Sequence, residues 1–402
     1  MPPWAGIKKD AVKAALMLHL WPCRPVPGSF IVPPEPGIVK AENRLRKKCI
    51  HFYSFVLTWR ENCDTIKRYF YPMKSTTGRF VMEQEALARL TEKLQKTFGK
   101  KQLLEMVPMS RYTTLHLGGP AQLLCEPSGT EQIAAALSAA AEENVPVTIL
   151  GNGSNLLVRD GGISGLVIHL GDHFSEVGEP VPLPDGRYAL TAQAGATLQK
   201  LCNVAADNAL TGLEFAYGIP GTVGGAICMN AGAYGGEMKD VVSVVTAMLP
   251  DGSTVAYSNE ELNMSYRHTR FMDESKGEII TSVTVILDKN DEETIRATMR
   301  EFSARRREKQ PLTVPSCGST FKRPVGQFAG TLIDQCGLKG YRVGGASVST
   351  LHAGFLVNDE NGTAADYLAL IGAVQGRVYE LTGVMLEPEV RIIGEEAPLE
   401  LV

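Results

Sequence analysis

The stretch that decides the fold runs from Gly212 to Gly236 and reads GLEFAYGIPGTVGGAICMNAGAYGG. It contains eight glycines, and Glu214 is its only charged residue. Glycine lets the backbone adopt positive φ and lets another surface approach closely. The stretch therefore fits a wall moulded around a large flat ligand, such as a dinucleotide. The same composition also fits tight turns between short buried strands, because a glycine pattern alone is a weak signal.

A short polar turn, GNGSN at 151–155, follows a predicted buried strand at 147–150. Backbone N–H groups and short polar side chains at the end of a strand can hold phosphate oxygens. Gly151 and Gly153 have the spacing of the first two glycines in the GxGxxG motif, but the third glycine is missing. Strand-like residues, not a helix, come next. We therefore exclude a classical Rossmann site at this turn.

Length and composition describe an ordinary globular protein. The 402 residues predict two or three domains, and 44% of them are hydrophobic. A net charge of −4 indicates neither nucleic acid nor an acidic surface as partner. No apolar run approaches the ~20 residues of a membrane span. The eight cysteines are scattered without a CxxC pair, and the seven histidines form no HExxH motif. We expect a reduced, cytoplasmic protein without a structural metal.

The N-terminal residues 1–81 differ from the remainder in charge, with a balance of +9 against −13 for residues 82–402. Three interpretations compete: a targeting segment, a basic arm that binds membrane or nucleic acid, and an extension outside the native domain. We favour the third, because Met82 opens an acidic amphipathic helix that would make a natural start. We expect residues 1–81 to be poorly ordered.

The spacing of apolar residues predicts an alternation of helices and strands. Helices are expected at 82–99, 130–143 (with Thr130 as cap), 198–208, 292–309, 330–336 and 363–381. Strands are expected at 122–126, 147–150, 156–158, 166–170, 188–194, 278–287, 354–357 and 390–393, with a hairpin around 250–252 and an extended stretch at 111–121. The β-α-β order is an α/β signature, and the texture after Pro311 indicates a separate small α+β domain.

Three residues near predicted strands have side chains that could carry chemistry: Arg267, Ser319 and Glu389. Each of them alone is more often a solvated surface charge or a turn cap. Stronger evidence comes from seven longer segments, taken together in their order along the chain. They are ILGNGSNLLVRDGGISGLVI (149–168), GLEFAYGIPGTVGGAICMNAGAYGGE (212–237), YRHTRF (266–271), REKQP (307–311), GSTFKRP (318–324), AGTLIDQCGLKG (329–340) and LEPEVRIIG (386–394).

Together these segments resemble the UDP-N-acetylenolpyruvoylglucosamine reductase (MurB) family, from about residue 112 to residue 394. Gly318 follows Arg267 by only 51 positions, which is similar to the shorter, type II-like subclass without an inserted substrate-clamping loop. The resemblance implies an α+β fold. A two-subdomain FAD-binding module like that of vanillyl-alcohol oxidases (PCMH-like) would occupy 111–290 after a helical lead-in at 82–110. A C-terminal α+β domain at 291–402 would hold a UDP-sugar.

The resemblance also implies the reaction: NADPH-dependent reduction of the enolpyruvyl ether of UDP-N-acetylglucosamine to UDP-N-acetylmuramate, with non-covalent FAD. Hydride would leave flavin N5. Arg267 would stabilise negative charge developing on the substrate carboxylate, and Glu389 would be protonated or orient a partner. Ser319 would donate the proton, helped by Lys322 or Lys309. Substrate-binding residues would be Lys309, Lys322 and Arg323, the last replacing an Asn common in the family.

The cofactor would lie against the polar turn and the glycine-rich stretch. The residues implied are Gly151, Asn152, Gly153, Ser154, Asn155, Gly218, Ile219, Pro220, Gly221, Thr222, Gly224, Gly225, Ala226, Asn230, Gly232 and Ala233. Two alternatives remain: a related flavin oxidase of another small substrate, and a catalytically inactive flavin- or nucleotide-sugar-binding protein. We expect the UDP-sugar and NADPH as partners, no nucleic acid or membrane, and a monomer.

Overall fold

The structure is a computed structural model that describes residues 77–272 and 277–397. The expectation of disorder for the N-terminal extension falls largely on residues 1–76, which lie outside the described residues. Its last residues, 77–81, are helical. Helix α1 (Thr77–Leu94) therefore begins before the predicted Met82 and ends before the predicted Gly99.

Apart from one that was not predicted, the other helices lie close to their predicted positions. They are α2 (Thr130–Glu142), α3 (Leu198–Asp207), α4 (Val223–Cys228), α5 (Glu292–Lys309), α6 (Ala329–Gln335) and α7 (Ala364–Thr382). The prediction that Thr130 caps α2 was wrong, because Gly129 is the extended residue that precedes the helix. Helix α4, inside the glycine-rich stretch, was not predicted. Its Thr222 cap accepts a hydrogen bond from the Gly225 N–H.

A mixed sheet of the N-terminal half carries the polar turn. Its strands are β1 (Leu103–Pro108), β2 (Pro120–Cys125), β3 (Val147–Leu150) and β5 (Ile163–His169), in the order β1-β2-β5-β3. The last three are parallel to one another, and β1 is antiparallel to β2. Strand β1 was missed. The stretch at 111–121 was expected to be extended, but it begins in a 3-10 turn at Met109–Arg111 and continues through turns.

A second, antiparallel sheet follows in the chain. Its strands are β6 (Val181–Pro182), β7 (Tyr188–Gln193), β8 (Leu210–Thr211), β11 (Val242–Met248), β12 (Thr254–Ser258) and β13 (Ile279–Lys289). The order is β12-β11-β13-β7-β6, with β8 beside β13. A separate small hairpin pairs β9 (Gly232–Ala233) with β10 (Gly236–Glu237). One face of the first sheet, the second sheet and α1 to α4 share one large hydrophobic core, to which Ile295 and Met299 of α5 also belong. The other face of the first sheet forms a separate, smaller core.

The C-terminal part has its own core and sheet. Strands β14 (Ser316–Ser319), β15 (Arg342–Val343), β16 (Ala346–Val348) and β17 (Phe355–Asn358) lie in the order β14-β17-β16-β15. Helix α7 buries Tyr367, Leu370, Val374 and Val378 against it, which is the apolar stripe expected from the sequence.

Several contacts join the C-terminal part to the N-terminal half, and two of them position the site. The closing strand β18 (Arg391–Ile393) runs parallel to β4 (Leu156–Val158), directly after the polar turn. The Asp160 carboxylate accepts 2.8 Å hydrogen bonds from the N–H groups of Ala364 and Ala365 at the start of α7. A carboxylate is favourable at that position because the first N–H groups of a helix lack internal partners.

Candidate active site

Arg267, which precedes β13, and Glu389, which precedes β18, form an ion pair. The Arg267 Nε donates to Glu389 Oε1 at 2.7 Å, and the two side chains are only 21% and 14% exposed. The guanidinium also lies 5.1 Å from the centre of the Tyr266 ring. Glu389 therefore has a cation to orient, which is one of the two roles expected for it.

A tight turn presents Arg267 to the cavity. Ser265 and His268 exchange backbone hydrogen bonds of 2.9 and 3.1 Å, so Tyr266 and Arg267 are the two central residues of a hairpin turn. Arg267 has φ of 54°, a conformation that non-glycine residues adopt rarely and that recurs at functional sites. Buried Asn230 supports the turn, because its Nδ2 donates to the Ser265 carbonyl at 3.1 Å.

Ser319 lies at the end of β14, next to the segment that holds Glu389. The Glu389 N–H donates to the carbonyl of Thr320 at 2.8 Å, and Phe321 forms a bridge to Pro388. Thr320 Oγ1 and Cys317 Sγ both contact the hydroxyl of Tyr367, at 3.1 and 3.2 Å. This buried network holds the strand end on which Ser319 stands.

Cys317 does not compete with Ser319 as an acid or a nucleophile. Complete burial raises the pKa of its thiol to about 12, so the thiolate is not populated near neutral pH. Burial likewise raises the pKa of the Tyr367 hydroxyl well above its usual value. Both groups therefore stay neutral and act as hydrogen-bonding supports.

One open cavity of about 380 Å³ brings the three predicted catalytic residues together. Arg267, Ser319 and Glu389 line it with Arg323, while Lys309 and Lys322 do not. Lys322 instead pairs with Glu387 at 2.5 Å. The lining also includes residues that the sequence did not single out, among them Tyr266, Phe328, Asp334, Lys339 and His352.

Two of these additional residues bear polar groups suited to an anionic nucleotide. Lys339 pairs with Asp334 at 2.8 Å. His352 accepts the Gly354 N–H at Nδ1, 3.1 Å away, so in the neutral ring the proton sits on Nε2. Burial lowers the pKa of His352 and favours that neutral ring. Lys339 lies in the segment AGTLIDQCGLKG (329–340), but nothing in that segment singles out the lysine, and His352 lies just before a predicted strand and outside the seven segments that resemble the MurB family.

The polar turn and the glycine-rich stretch face each other. Asn152 Nδ2 donates to the Pro220 carbonyl at 2.7 Å. A Cβ on Gly151 would lie 2.4 Å from Thr222 Oγ1, and one on Gly221 would meet only Ser154 Oγ, at 3.7 Å. Larger side chains at Gly151 would therefore push the two loops apart.

The donors of this cleft fit a phosphate-bearing cofactor. Within the described residues, the backbone N–H groups of residues 152–155 have no hydrogen-bond acceptor. Successive free N–H groups form a nest for anions. Arg306 is 7% exposed, and its Nε and Nη2 also lack a partner within the described part of the chain. Its side chain packs against Gly218, and its guanidinium lies 5.1 Å from the centre of the Tyr234 ring, so positive charge lies beside the glycine-rich stretch. The residues therefore fit FAD.

Not every residue expected at the cofactor faces this cleft through its side chain. Asn230 donates to Glu237 Oε2 and accepts from the Lys239 N–H, within its own loop. The Gly232 carbonyl lies 3.5 Å from Arg267 Nη2. The side chain of Asn155 donates to the carbonyl of Glu389 at 3.2 Å. Gly232 therefore adjoins Arg267 and Asn155 adjoins Glu389, while Asn230 bonds to Ser265 in the turn that carries Arg267.

Among the described residues, no cluster of three or more His, Cys, Asp or Glu side chains could hold a metal ion. A search of the helices in the described ranges finds none that is long and apolar enough to cross a membrane.

The chain is similar to one family throughout this region. A model of the UDP-N-acetylenolpyruvoylglucosamine reductase C-terminal domain matches residues 310–393, and an FAD binding domain model matches residues 121–258. A UDP-N-acetylenolpyruvoylglucosamine reductase from Limosilactobacillus fermentum is 47% identical over 76% of this chain and 99% of its own length. One from Exiguobacterium sibiricum is 45% identical over 79% of this chain and 100% of its own.

A solved structure is similar as well. The crystal structure of UDP-N-acetylenolpyruvylglucosamine reductase (MurB) from Thermus caldophilus is 37% identical, with a TM-score of 0.61. The match covers 72% of this chain and 98% of that one. The predicted fold class, an FAD-binding PCMH-like module with a C-terminal α+β domain, is confirmed by these matches.

Proposed function

The chain belongs to the UDP-N-acetylenolpyruvoylglucosamine reductase (MurB) family, and we propose that Arg267, Glu389 and Ser319 carry its chemistry in the cavity they share. The protein is an NADPH-dependent flavin oxidoreductase that reduces UDP-N-acetyl-enolpyruvoylglucosamine in peptidoglycan synthesis. The observation that supports the residue roles is the shared cavity, because the three side chains come from segments far apart in sequence.

The residues proposed to hold FAD are the polar turn at 151–155 and the wall at 218–226, with residues 230–233 beside them. When bound, FAD supplies the chemistry that passes hydride from NADPH to the substrate. The protein's contribution is position and electrostatics. The free N–H groups of residues 152–155 favour the diphosphate, and the glycine backbone permits close approach.

Arg267 and Glu389 are proposed to act as a unit on the substrate carboxylate. Reduction of the vinyl group places negative charge on that carboxylate, and a preorganised guanidinium stabilises it. The Glu389 carboxylate fixes the Arg267 side chain through Nε, and Nη2 makes a long 3.5 Å contact to the Gly232 carbonyl, so the guanidinium can still turn its outer edge to the substrate. A bidentate donor suits a planar carboxylate.

Ser319 is proposed to deliver a proton from Oγ to the substrate carbon that carries the carboxylate. A hydroxyl is a weak acid, so nearby positive charge helps proton transfer. Lys309 and Lys322 lie outside the cavity lining, whereas Arg267, Arg323 and Lys339 are part of it. Arg267, which also acts at the substrate carboxylate, is therefore better placed than either lysine to assist Ser319.

The UDP part of the substrate is proposed to bind to Arg323 and Lys339, which line the same cavity. The Arg323 guanidinium lies 5.0 Å from the centre of the Phe328 ring, and the backbone N–H of Arg323 donates to Tyr266 Oη at 3.4 Å. Lys309 is exposed at the end of α5. We propose that Lys309 and Lys322 contact the diphosphate from outside the cavity lining.

We also propose domain boundaries at 82–110, 111–290 and 291–402, a monomeric state and a cytoplasmic location.

An anaerobic half-reaction experiment tests the function. NADPH should bleach the flavin band of the purified protein near ~450 nm, and the enolpyruvyl substrate should restore it. Recovery of the band with oxygen but not with the substrate would support a flavin oxidase instead.

A further inference from the structure

Asn155 joins the polar turn to the segment that carries Glu389. Its Nδ2 donates to the Glu389 carbonyl at 3.2 Å, and its own carbonyl accepts the Arg391 N–H at 3.0 Å. The parallel pairing of β4 with β18 begins at the next position, where Leu156 pairs with Arg391. Asn155 thus makes the first hydrogen bonds between the two strand segments.

Asn152, in the same turn, makes the opposite connection. Its Nδ2 donates to the Pro220 carbonyl at 2.7 Å, across the proposed cofactor cleft. Asn152 is exposed, whereas Asn155 is half-buried. Two identical side chains three positions apart therefore point to different parts of the site.

The backbone of Glu389 is held from both sides. Its N–H donates to Thr320, the residue after Ser319, and its carbonyl accepts from Asn155. Its carboxylate meets Arg267 at 2.7 Å. Without the Asn155 amide, the Glu389 carbonyl loses its hydrogen bond to Nδ2. The Glu389 carboxylate can then shift relative to Arg267 and Ser319. Misplacement of a catalytic group by about 1 Å can cost on the order of 10²-fold in rate.

We propose that the side chain of Asn155 is a positioning group for Glu389 and acts on the reaction through the Arg267–Glu389 pair, while the backbone N–H of Asn155 remains at the cofactor diphosphate. This proposal rests on the role proposed above for Glu389. It assigns the two asparagine side chains of one turn to separate tasks: Asn152 closes the cofactor cleft, and Asn155 sets the catalytic carboxylate.

A double-mutant cycle tests the proposal on the FAD-loaded enzyme. Asn155→Ala is compared with Glu389→Ala and with the double variant, and kcat and KM are measured for each. We expect Asn155→Ala to lower kcat about tenfold with KM changed less than about twofold, and to add less than about twofold in the Glu389→Ala background, because residues that act as a unit are not additive.

Flavin affinity supplies the second readout. Binding of FAD to the apoprotein, followed by flavin fluorescence, should change less than about twofold in Asn155→Ala and weaken about tenfold in Asn152→Ala. Asn155→Asp keeps the shape of the side chain without its N–H donors, so it covers the case in which the alanine variant does not fold. It should lose kcat at least as strongly.

The outcomes are separable. If kcat of the double variant falls by the product of the two single-variant losses, the positioning role is overturned. A tenfold loss of FAD affinity in Asn155→Ala with kcat unchanged would place the Asn155 side chain at the cofactor. If Glu389→Ala retains the unmodified kcat, the proposed role of Glu389 fails, and the positioning role fails with it.

Discussion

The Arg267 Nε lies 2.7 Å from Glu389 Oε1, although 122 positions separate the two residues. One comes from the hairpin turn at 265–268 and the other from the segment before the closing strand β18. Because both side chains are mostly buried, the pair is preorganised before substrate arrives. A preorganised cation does not have to reorganise as charge develops in the transition state.

Arg267→Lys should lower kcat by roughly 10²–10³-fold, the usual loss for one preorganised donor. Lysine keeps the positive charge but cannot bind Glu389 and a substrate carboxylate through one planar fork. Steady-state kinetics with the enolpyruvyl substrate measures this, and the flavin absorbance should stay unchanged. A variant with nearly the original kcat would mean that charge alone is sufficient.

Ser319→Ala should leave reduction of the flavin by NADPH intact and stop turnover of the enolpyruvyl substrate, because only the second half-reaction needs a proton on carbon. Anaerobic stopped-flow absorbance separates the two half-reactions. Ser316→Ala is the matched control, since Ser316 lies on the same strand and outside the cavity lining. Loss of both half-reactions in Ser319→Ala would contradict the proton-donor role.

Gly151→Ala should weaken FAD binding by about tenfold or more. The added Cβ would lie 2.4 Å from Thr222 Oγ1, and moving that hydroxyl would also remove the cap of α4. Fluorescence titration of the apoprotein gives the affinity. Gly376→Ala is the control, because its Cβ would meet nothing within 4 Å and it lies inside α7. That variant should gain about 0.5–1 kcal/mol of unfolding free energy.

Lys339→Met should raise KM for the UDP-sugar by about tenfold with little change in kcat, because a charge that contacts the diphosphate equally in ground and transition states affects binding alone. Lys96→Met, an exposed lysine after α1, should change neither constant. An equal fall in kcat and kcat/KM would instead show that Lys339 acts on the reacting end of the substrate.

His352 should make the protein less stable in acid. Burial lowers the pKa of His352 below its ordinary 6.5, so the unfolded chain binds this proton more tightly than the folded chain. Its contribution to the free energy of unfolding is complete above about pH 6.5 and falls as the pH drops below it. His352→Asn retains an acceptor for the Gly354 N–H and should lose less stability between about pH 7.5 and pH 5 in urea unfolding. Identical pH slopes would contradict this.

The sequence located most regular elements, because apolar periodicity directly reflects which face of a helix or strand is buried. It failed where tertiary contacts replaced local signals. Strand β1 has no clear alternation and forms by pairing with β2. Helix α4 has glycines at 224 and 225, which local propensity disfavours, yet it is capped by Thr222 and buries Val223, Ala226 and Ile227.

By itself, the sequence determined the family, the fold class and the identity of Arg267, Ser319 and Glu389 as candidates, because seven ordered segments are specific where one glycine pattern is not. Only the tertiary structure decided which side chains meet. It placed Lys339 and His352 in the cavity, left Lys322 with Glu387, and turned Asn155 toward Glu389. The physical reason is that hydrogen bonds and ion pairs act over about 3 Å, and contacts at that range between segments 65 to 234 positions apart leave no local trace in the chain.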